Sequence, residues 1–394
     1  MFVKRHLFKV FLGILLLIGC SEKPSKKNLF IVKNDLNMHR SFETIEIDLD
    51  ILNDNKKEDK SYRIINTSTN EEITSQALDS NKNGIIDKVL FQPIMKPNSE
   101  TTFEILSSNG ASLKKNDEIC FSRFVPERTD DYAWENNRVA FRTYGPTAQK
   151  MIEENIDGGT LSSGIDAWLK RVDYPIINKW YAKTISGKGT YHEDTGEGLD
   201  NFHVGASRGI GGISVKVDTS YYYSKNFTSW ETITNGPIRT SFVLHYNDWD
   251  ANGNIIAETK HISLDYGSNL SKYTIQLKGT NTVSAGLTLH KKDGEISMNK
   301  NQRWISYWEF LEDSELGQGI VIPKGFLIDF QDYRTNKIDE SNLYANLKVT
   351  DNKVTYYAGF GWKKSNQFKT KKEWNDYLAD FSIKLDSPLI VKKI

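Results

Sequence analysis

The stretch "IRTSFVLHYNDWDANGNIIAETKHISLDYGSNL", residues 238–270, has the pattern of two β-strands joined by a turn and followed by a second turn. In its first run, apolar Phe242 and Leu244 alternate with Ser241 and His245, and a strand places such alternating side chains on opposite faces. The segments "DWDANGN" and "DYGSN" supply the Asn, Asp and Gly residues that turns prefer. Pairing of the two runs through the first turn therefore predicts antiparallel β structure.

The same pattern extends in both directions along the chain. Long strand-like runs continue from about residue 212 to residue 358, and shorter ones such as "LFIVKND" and "SYRIINT" fill residues 29–113. Helical spacing is confined to "TAQKMIEENI", to "IDAWLKRVDYPIINKWYAK", which Pro175 interrupts, and to "KKEWNDYLADF". We therefore predict a mainly β protein with few helices, in which a small N-terminal β-sandwich-like region, residues 29–118, precedes a large antiparallel two-sheet super-sandwich, residues 119–394.

The N-terminus has the form of a bacterial lipoprotein signal. Basic residues precede an apolar run of about 12 residues, which is too short to span a bilayer comfortably. The run ends in "LIGC", the form of a lipobox in which the cysteine is lipidated and becomes the first residue. We interpret residues 1–20 as the signal peptide, Cys20 as the lipidated residue and residues 21–28 as a polar tether. An ordinary cleaved signal peptide or a membrane anchor helix is the alternative.

Charge and cysteine content narrow the function classes. The chain has 51 basic and 51 acidic residues and a formal net charge of +0, so it lacks the overall positive charge that attracts nucleic acid. Beyond Cys20 the only cysteine is Cys120, which excludes a disulfide framework and cysteine-ligated zinc. We expect a cell-envelope lipoprotein held to a membrane by its lipid. No acidic run follows Cys20, which favours the periplasm-facing side of the outer membrane over the cell surface.

One short segment resembles the front of a calcium-binding loop. In "DSNKNGIID", residues 79–87, oxygen-bearing side chains stand at positions one, three, five and nine, and glycine stands at position six. Position twelve, where a calcium loop needs an acidic residue, is Leu90. A tight Asn-Gly hairpin without a metal explains the same residues. The oxygen ligands of a structural Ca²⁺ would be Asp79, Asn81, Asn83 and Asp87.

The strand "RVAFRTY", residues 138–144, places polar groups on one face. Arg138, Arg142 and Tyr144 share that face, and arginine is suited to bidentate recognition of carboxylate or sulfate. Trp134 and Glu135, just before the strand, would add a stacking surface and a hydrogen-bond acceptor to a sugar site. In the alternative, both arginines belong to a surface ion-pair network with the carboxylates nearby: Asp130, Asp131 and Glu135.

The segment "YHEDTGEGLDNFHVGASRGIGG", residues 191–212, combines many titratable groups with six glycines. Its glycines permit positive φ angles and a close approach of a ligand to the backbone. Tyr191, His192 and His203 can exchange or donate protons, and Arg208 adds a fixed positive charge. This composition is typical of an active-site rim.

Three interpretations of this segment remain open from its residues alone. His192, His203 and a carboxylate would form a metal site, although their spacing matches no zinc motif. Alternatively, two acids of the segment would form the catalytic carboxyl pair of a glycosidase. That assignment depends on the separation of the two carboxyl groups in space. In the third interpretation the segment is a solvated loop whose histidines bind buried carbonyl groups. The acids considered are Glu193, Asp194, Glu197 and Asp200.

Four blocks of the chain carry a resemblance to a known family. In order they are "DDYAWENNRVAFRTYGP", "YHEDTGEGLDNFHVG…GIGG", "YWEFLEDSELGQGIVIP" and "YYAGFGWKKSNQFKTKKEWNDYL". They resemble a Bacteroidota family catalogued as a domain of unknown function, whose members occur among polysaccharide-utilisation genes. One branch of it, in marine flavobacteria, includes an oligosaccharide dehydratase that acts on ulvan. The resemblance runs from about Leu29 to the C-terminus.

The resemblance implies elimination of water from the non-reducing-end uronic acid of a sulfated oligosaccharide, which gives a 4,5-unsaturated uronate. Such a reaction requires that arginine, a protonated acid or a metal neutralise the sugar carboxylate, while a base removes the C5 proton and an acid protonates the C4 hydroxyl, and we expect that no cofactor is required. Our candidates for neutralising the carboxylate are Arg138, Arg142 or Arg208. Our candidates for the acid and the base are His192, Tyr191 and His203. Two other functions remain: a glycoside hydrolase acting on uronate-containing glycans, and a non-catalytic glycan-binding lipoprotein with Trp134 and Trp362 as stacking platforms.

Replacement of Cys20 by alanine tests the lipoprotein signal. Because the Cys20 thiol is the atom that would carry the lipid, the Cys20→Ala protein should incorporate no labelled palmitate and should leave the detergent phase in phase partitioning. Cys120→Ala is the matched control and should label like the natural chain. Palmitate labelling of the Cys20→Ala protein would contradict the interpretation.

Overall fold

The computed structural model describes residues 28–52, 60–109 and 118–394. The predicted signal peptide, Cys20 and residues 21–27 of the tether lie outside the described residues. Within the described residues, none of the helices combines the length and the apolar character needed to cross a membrane.

The described part of the chain forms strands and helices with the following bounds. The first strands are β1 (Asn28–Asn34), β2 (Ile45–Asp48), β3 (Lys60–Asn66), β4 (Glu71–Ile73), β5 (Ser75–Leu78), β6 (Lys88–Phe91), β7 (Ser99–Asn109), β8 (Phe121–Val125), β9 (Asp131–Glu135), β10 (Ala140–Thr143), β11 (Asp166–Lys170), β12 (Gly198–Leu199), β13 (Ile210–Val217) and β14 (Ser220–Tyr222). The remaining strands are β15 (Ser229–Thr234), β16 (Arg239–His245), β17 (Trp249–Ala251), β18 (Asn254–Asp265), β19 (Leu270–Lys278), β20 (Thr282–Thr288), β21 (Glu295–Asn299), β22 (Trp304–Leu311), β23 (Ser314–Val321), β24 (Leu327–Tyr333), β25 (Asn342–Lys348), β26 (Lys353–Trp362) and β27 (Ile390–Lys393). The helices are α1 (Pro146–Glu153), α2 (Ile177–Ile185) and α3 (Lys371–Asp386), with short 3-10 helices at Leu49–Leu52, Pro126–Arg128 and Lys363–Ser365.

A nine-stranded antiparallel sheet organises the fold and confirms the predicted mainly β class. Its strand order is β15-β16-β18-β19-β26-β23-β22-β21, with β17 paired to β18. Two five-stranded sheets, β12-β11-β10-β9-β8 and β14-β13-β20-β25-β24, contribute with it to one hydrophobic core. Strand β26 shows why: Tyr356, Ala358 and Phe360 enter this core, whereas Tyr357 between them points to the opposite face.

Helix α3 packs on that opposite face of the nine-stranded sheet, as the helical spacing of "KKEWNDYLADF" predicted. The Thr370 hydroxyl accepts a hydrogen bond from the Glu373 backbone N–H and so caps the N-terminus of the helix. Trp374 and Leu378 are completely buried against the sheet. A Cβ atom on Gly319 would lie 2.8 Å from Leu378, so the glycine lets the helix approach closely. The helix thereby covers the face that the two smaller sheets leave open.

The N-terminal region forms a small β-sandwich with its own core. Its described strands make a sheet of order β27-β1-β7-β3-β4 and a second sheet of order β2-β6-β5. Phe30, Val32 and Phe103 from the first sheet pack with Val89 and Phe91 from the second. Strand β27, at the end of the chain, pairs with β1 and so belongs to the first sheet. The division of the chain into residues 29–118 and 119–394 stays a prediction.

The helical prediction for residues 165–170 was wrong, because residues 166–170 form strand β11. Ala167 and Leu169 point into the main core, while Trp168 points to the other side and packs against α2. A strand that is buried on both faces has an almost continuous apolar sequence, which periodicity cannot distinguish from a buried helix. Only the part after Pro175 is helical, as α2.

A buried ion pair connects α2 to its sheet. The Lys170 ammonium lies 2.7 Å from a Glu135 carboxylate oxygen, and both side chains are completely buried. The Glu135 carboxylate also accepts hydrogen bonds from the backbone N–H groups of Ile176 and Ile177 at 2.9 Å. Glu135 thus satisfies the N-terminal donors of α2 as well as the lysine charge. It fixes the helix over the outer face of this sheet.

Removal of one partner of this pair should destabilise the protein strongly. Lys170→Met leaves a buried carboxylate without its counter-ion, and we expect the free energy of unfolding to fall by about 3–5 kcal/mol. The double variant Glu135→Gln with Lys170→Met removes both charges and should recover part of this loss. Urea unfolding measures both, with Lys188→Met, at an exposed position, as the control. Equal losses in the single and double variants would contradict this account.

Candidate functional site

A cavity of about 590 Å³ opens at the C-terminal end of strand β10. Arg142 and Tyr144 reach it from β10 and the residue after it, and the glycine-rich segment contributes His192, Asp200 and His203. Residues 159–161 complete part of its wall. The structure therefore brings together five of the residues singled out from sequence, two from one segment and three from another about 50 positions further along the chain.

The Arg142 guanidinium is buried and fully engaged by acceptors. Its Nε lies 2.6 Å from Asp166 Oδ2, and its Nη2 lies 2.8 Å from Asp200 Oδ2. Nη1 donates to the Tyr191 hydroxyl at 3.2 Å and lies 3.5 Å from Asp131 Oδ2. Arg142 and Asp166 are direct neighbours across β10 and β11, so the register of the sheet creates the first of these contacts.

Aromatic rings pack around this cluster. The Arg142 Cζ atom lies 5.5 Å from the Tyr144 and Tyr191 ring centroids and 5.4 Å from that of Trp168. Tyr191 is buried, and its hydroxyl also accepts a hydrogen bond from Arg128 Nε at 3.1 Å. Because Tyr191 is held in this way and does not line the cavity, it positions the cluster and is not placed to touch a ligand.

The cluster contains more carboxylates than guanidiniums. Burial would lower the pKa of Arg142, but the Asp200 and Asp166 carboxylates raise it well above its usual value. Burial, reinforced by the neighbouring Asp200, raises the pKa of Asp166 well above its usual range. Three acids therefore face Arg142 and Arg128. The Asp166 Oδ1 atom is buried and has no hydrogen-bond partner among the described residues.

Tyr144 connects the Asp166 carboxyl to the cavity. Its hydroxyl donates to Asp166 Oδ2 at 3.3 Å. Burial and the Asp166 carboxyl raise the pKa of the Tyr144 phenol well above its usual value, so the phenol remains protonated over the whole physiological range. Tyr144 is therefore a proton donor on the cavity wall.

His192 has a defined tautomer. Its Nδ1 lies 2.7 Å from the backbone carbonyl oxygen of Asp200, and a carbonyl oxygen only accepts hydrogen bonds. Nδ1 therefore carries the hydrogen, and the lone pair of neutral His192 is on Nε2. The side chain is 56% exposed and lies on the cavity wall, so this lone pair is accessible to a ligand.

His203 lies on the same cavity, with a different set of partners. Its Nε2 lies 2.8 Å from Asp339 Oδ2, and its side chain is 69% exposed. Its backbone carbonyl accepts a hydrogen bond from His290 Nε2 at 3.0 Å, and His290 Nδ1 lies 2.7 Å from Glu309 Oε1. His290 and Asp339 were missed from sequence, because only the tertiary fold brings them beside residue 203.

The other two arginines considered for neutralising the carboxylate lie elsewhere. Arg138 precedes β10 and donates to Asn269 Oδ1 at 2.6 Å, on the wall of a different cavity. Arg208 is completely buried, where it donates to Ser163 Oγ and lies 3.7 Å from the centroid of the Tyr223 ring. Neither arginine lines the cavity of the two histidines, so Arg142 is the only one of the three that does.

The two tryptophans expected to stack on a sugar are buried and cannot contact one. Trp134 is completely buried, its Nε1 donates to Ser271 Oγ at 3.0 Å, and its ring packs on Phe141. Trp362 is also buried, in the main core. The Glu135 carboxylate is occupied by Lys170 and by the start of α2 as described above. These residues belong to the framework, because alternate residues of buried strands face the core.

The acids of the glycine-rich segment serve different purposes. Asp194 accepts hydrogen bonds from the backbone N–H groups of Gly196 and Gly198. Glu197 binds Lys179 and Tyr174, both at 2.5 Å. Asp200 alone among the four considered acids lines the cavity, and Arg142 holds it. An acid pair drawn from this segment therefore does not face a common ligand position.

The segment at residues 79–87 forms a turn whose oxygen atoms bind its own backbone. Asp79 accepts hydrogen bonds from the backbone N–H groups of Asn83 and Gly84, and Asn81 also accepts one from Asn83. Asp87 accepts hydrogen bonds from the backbone and the hydroxyl of Ser80. Across the described ranges, no group of three or more His, Cys, Asp or Glu side chains is arranged to hold a metal ion, the two cavity histidines included.

Comparison with known proteins gives one family and one fold. Residues 32–391 match the family described as Domain of unknown function (DUF4861). The chain is 55% identical over 377 residues to the uncharacterized protein P7 of Formosa agariphila, and the match covers 95% of each chain.

Two solved structures from Enterococcus faecalis are similar at 8% identity. One is a protein in glycosyl hydrolase family 38 (TM-score 0.51), and the match covers 94% of this chain and 48% of that one. The other is an alpha-mannosidase (TM-score 0.43), for which the match covers 94% and 46%. This chain spans about half the length of these structures, and its likeness to the first shows a shared fold.

Asp131 should make stability depend on pH. Burial raises its pKa to about 6, while Arg142 and Arg128 act in the opposite direction. Because the folded protein binds this proton more tightly than the unfolded chain, the stabilisation is complete below about pH 4 and is lost as the pH rises through about 6. Asp131→Asn should therefore gain about 2–3 kcal/mol relative to the natural chain between pH 4 and 7.

Urea unfolding at a series of pH values measures this difference, and Asp173→Asn, at an exposed position, is the control. A constant difference between Asp131→Asn and the natural chain from pH 4 to 7 would show that the Asp131 proton is not held in this way.

Proposed function

We propose that this chain, which belongs to the family described as Domain of unknown function (DUF4861), is an oligosaccharide dehydratase. Its reaction would remove water from the non-reducing-end uronic acid of a sulfated, ulvan-type oligosaccharide and give a 4,5-unsaturated uronate. One observation carries this proposal: a single cavity holds an imidazole with an accessible lone pair and a phenol that remains protonated. Elimination across C4 and C5 needs one base and one acid of this kind.

His192 is the base of the proposed reaction. The Asp200 carbonyl oxygen fixes the hydrogen on Nδ1, so Nε2 is free to remove the C5 proton. Because the ring is half exposed, the proton can pass from it to solvent after the reaction. The main-chain contact also prevents the ring from turning its hydrogen-bearing nitrogen towards the substrate.

Tyr144 is the acid. As the C4–O bond breaks, the phenol proton joins the departing hydroxyl to form water, and the resulting phenolate takes a replacement proton from solvent in the cavity. The reaction balances: the C5 proton goes to His192 and then to solvent, solvent returns one proton to Tyr144, and one water molecule leaves with the C4 oxygen. Burial keeps the Tyr144 phenol protonated while the base stays exposed, which separates their roles.

His203 binds the uronate carboxylate in this proposal. Arg142 is surrounded by three aspartates, so its charge is already compensated and it cannot neutralise the substrate. His203 is exposed, and Asp339 accepts from its Nε2, which leaves Nδ1 to donate to the sugar when the ring is protonated. Neutralising the carboxylate makes the C5 proton more acidic.

The proposed location follows the lipobox. A lipid on Cys20 and the tether that follows it would hold the enzyme at the periplasmic face of the outer membrane, where imported oligosaccharides arrive. The substrate would therefore be a short oligosaccharide rather than the intact polymer.

The test is incubation with saturated ulvan oligosaccharides, followed by mass measurement for the loss of one water and by ultraviolet absorbance of the product. His192→Ala and Tyr144→Phe should each reduce kcat by about 100-fold or more, because each removes one proton-transfer group. The matched control is His245→Ala, an exposed histidine on β16 that does not line the cavity, and it should keep full activity.

Two outcomes would contradict the proposal. New reducing ends without ultraviolet absorbance would identify a glycoside hydrolase. Glycan binding without turnover, unchanged in His192→Ala, would identify a binding lipoprotein. Circular dichroism of each variant separates lost chemistry from lost folding.

A further inference from the structure

A second cavity, of about 610 Å³, lies between the N-terminal sandwich and the nine-stranded sheet. Residues 41–46 and 388–391 form its wall on the side of the sandwich, and residues of β16, β18 and β19 form the opposite wall. Helix α3 closes one side. The two cavities have no lining residue in common.

The carboxylates in this cavity are already bound. Arg239 contacts Asp265 through Nε at 2.5 Å and through Nη2 at 2.8 Å, and its Nη1 lies 2.6 Å from Glu46. Lys88 lies 3.5 Å from the second oxygen of Glu46. The Glu43 carboxylate accepts hydrogen bonds from Nε and Nη2 of Arg40. These acids therefore have little capacity to compensate further positive charge.

Two cations on the cavity wall lack a carboxylate partner. Arg138 uses its Nε for Asn269, and none of the described carboxylates forms an ion pair with its guanidinium or with the Lys272 ammonium. Burial lowers the pKa of both groups, and the nearby Arg239 lowers that of Lys272 further, while the Glu46 and Asp265 carboxylates act in the opposite direction without reversing the shift. A partly desolvated cation without a counter-ion is stabilised by an anion that enters the cavity.

Aromatic rings line the same space. Phe42 is 46% exposed although it lies on the cavity wall, and its φ of 58° is the left-handed conformation that a bulky residue rarely adopts. Its ring lies over the backbone of Gly267, where an added Cβ would come 2.3 Å from it. Phe368 lies 5.9 Å from the Arg138 guanidinium carbon. Strain of this kind is retained where a side chain has a role, and here it presents a ring to the cavity.

We infer that this second cavity binds an anionic sugar, a sulfated or uronic monosaccharide unit whose charge lies at Arg138 and Lys272 and whose apolar face stacks on Phe42. Two features point to this ligand class together. Unpaired cations select a sulfate or carboxylate, and an exposed ring beside them selects the C–H face of a pyranose. The inference concerns a cavity that the proposed dehydratase chemistry does not use.

Calorimetric titration of the purified protein with glucose 6-sulfate, glucuronate, glucose and inorganic sulfate tests this site. We expect saturable binding of glucose 6-sulfate or glucuronate, and at least tenfold weaker binding of glucose and of inorganic sulfate. Arg138→Gln and Lys272→Met should each weaken binding of the anionic sugar at least tenfold. Lys278→Met, on the same strand as Lys272 but exposed and outside the cavity, should leave it unchanged.

Phe42→Asn separates a sugar site from a simple anion site. Asparagine tolerates the left-handed conformation, so the backbone is preserved while the ring is removed. The variant should lose affinity for the sugar at least tenfold and keep its weak affinity for inorganic sulfate. Circular dichroism checks folding of each variant.

Three results would overturn the inference. Inorganic sulfate that binds as tightly as glucose 6-sulfate would reduce the site to a simple anion site. If Arg138→Gln and Lys272→Met leave the affinity for anionic sugars unchanged, any binding occurs elsewhere. If none of the anionic sugars binds saturably, the proposed site does not exist. His192→Ala serves as the control for the first cavity: it should reduce kcat by about 100-fold or more and leave this binding intact, so the two proposals fail separately.

Discussion

A buried guanidinium must be surrounded by acceptors, and in this protein that requirement fixes the candidate active site. Within the sheet Arg142 has Asp166 as its cross-strand partner, but the remaining donors are satisfied largely by Asp200 and Tyr191 of the glycine-rich segment. Lifting that segment away would leave a buried charge uncompensated, at a cost of several kcal/mol. The position of His192, which lies between Tyr191 and Asp200 in sequence and binds the carbonyl oxygen of the latter, is therefore a consequence of charge compensation.

Much of the fold was predictable, because alternation and turn composition determine local β structure. Strands β16 and β18 pair as the opening pattern predicted, with Val243 opposite His261. The glycine-rich segment was predicted to be an active-site rim, which stays a prediction, and the structure places its His192 and His203 on the wall of one cavity. Residue type and the conformational freedom that glycine gives the backbone are local properties, so they can be read directly from the sequence.

The partners in the site were not predictable, since they depend on register and on which face is buried. Asp166 was not predicted as a site residue, because residues 165–170 have the apolar content of a buried helix, although residues 166–170 form β11. Trp134 was expected in the site and lies in the core, because β9 alternates and its other face carries Asp131. Arg138 and Arg142 are four residues apart, but β10 begins only at Ala140 and the two side chains enter different cavities.

The wall of the second cavity is held rigidly, and rigidity bears on what such a cavity can bind. Gln76 of the N-terminal sandwich is buried, and its amide donates to Thr234 and to the Arg239 carbonyl. Its oxygen accepts from the backbone N–H groups of Ile238 and Arg239, so one side chain completes four hydrogen bonds to the large sheet. Strand β27 adds a second connection, because it returns from α3 to pair with β1. A cavity whose walls are fixed before a ligand arrives loses little conformational entropy on binding, which lets a ligand as small as one sugar unit bind measurably.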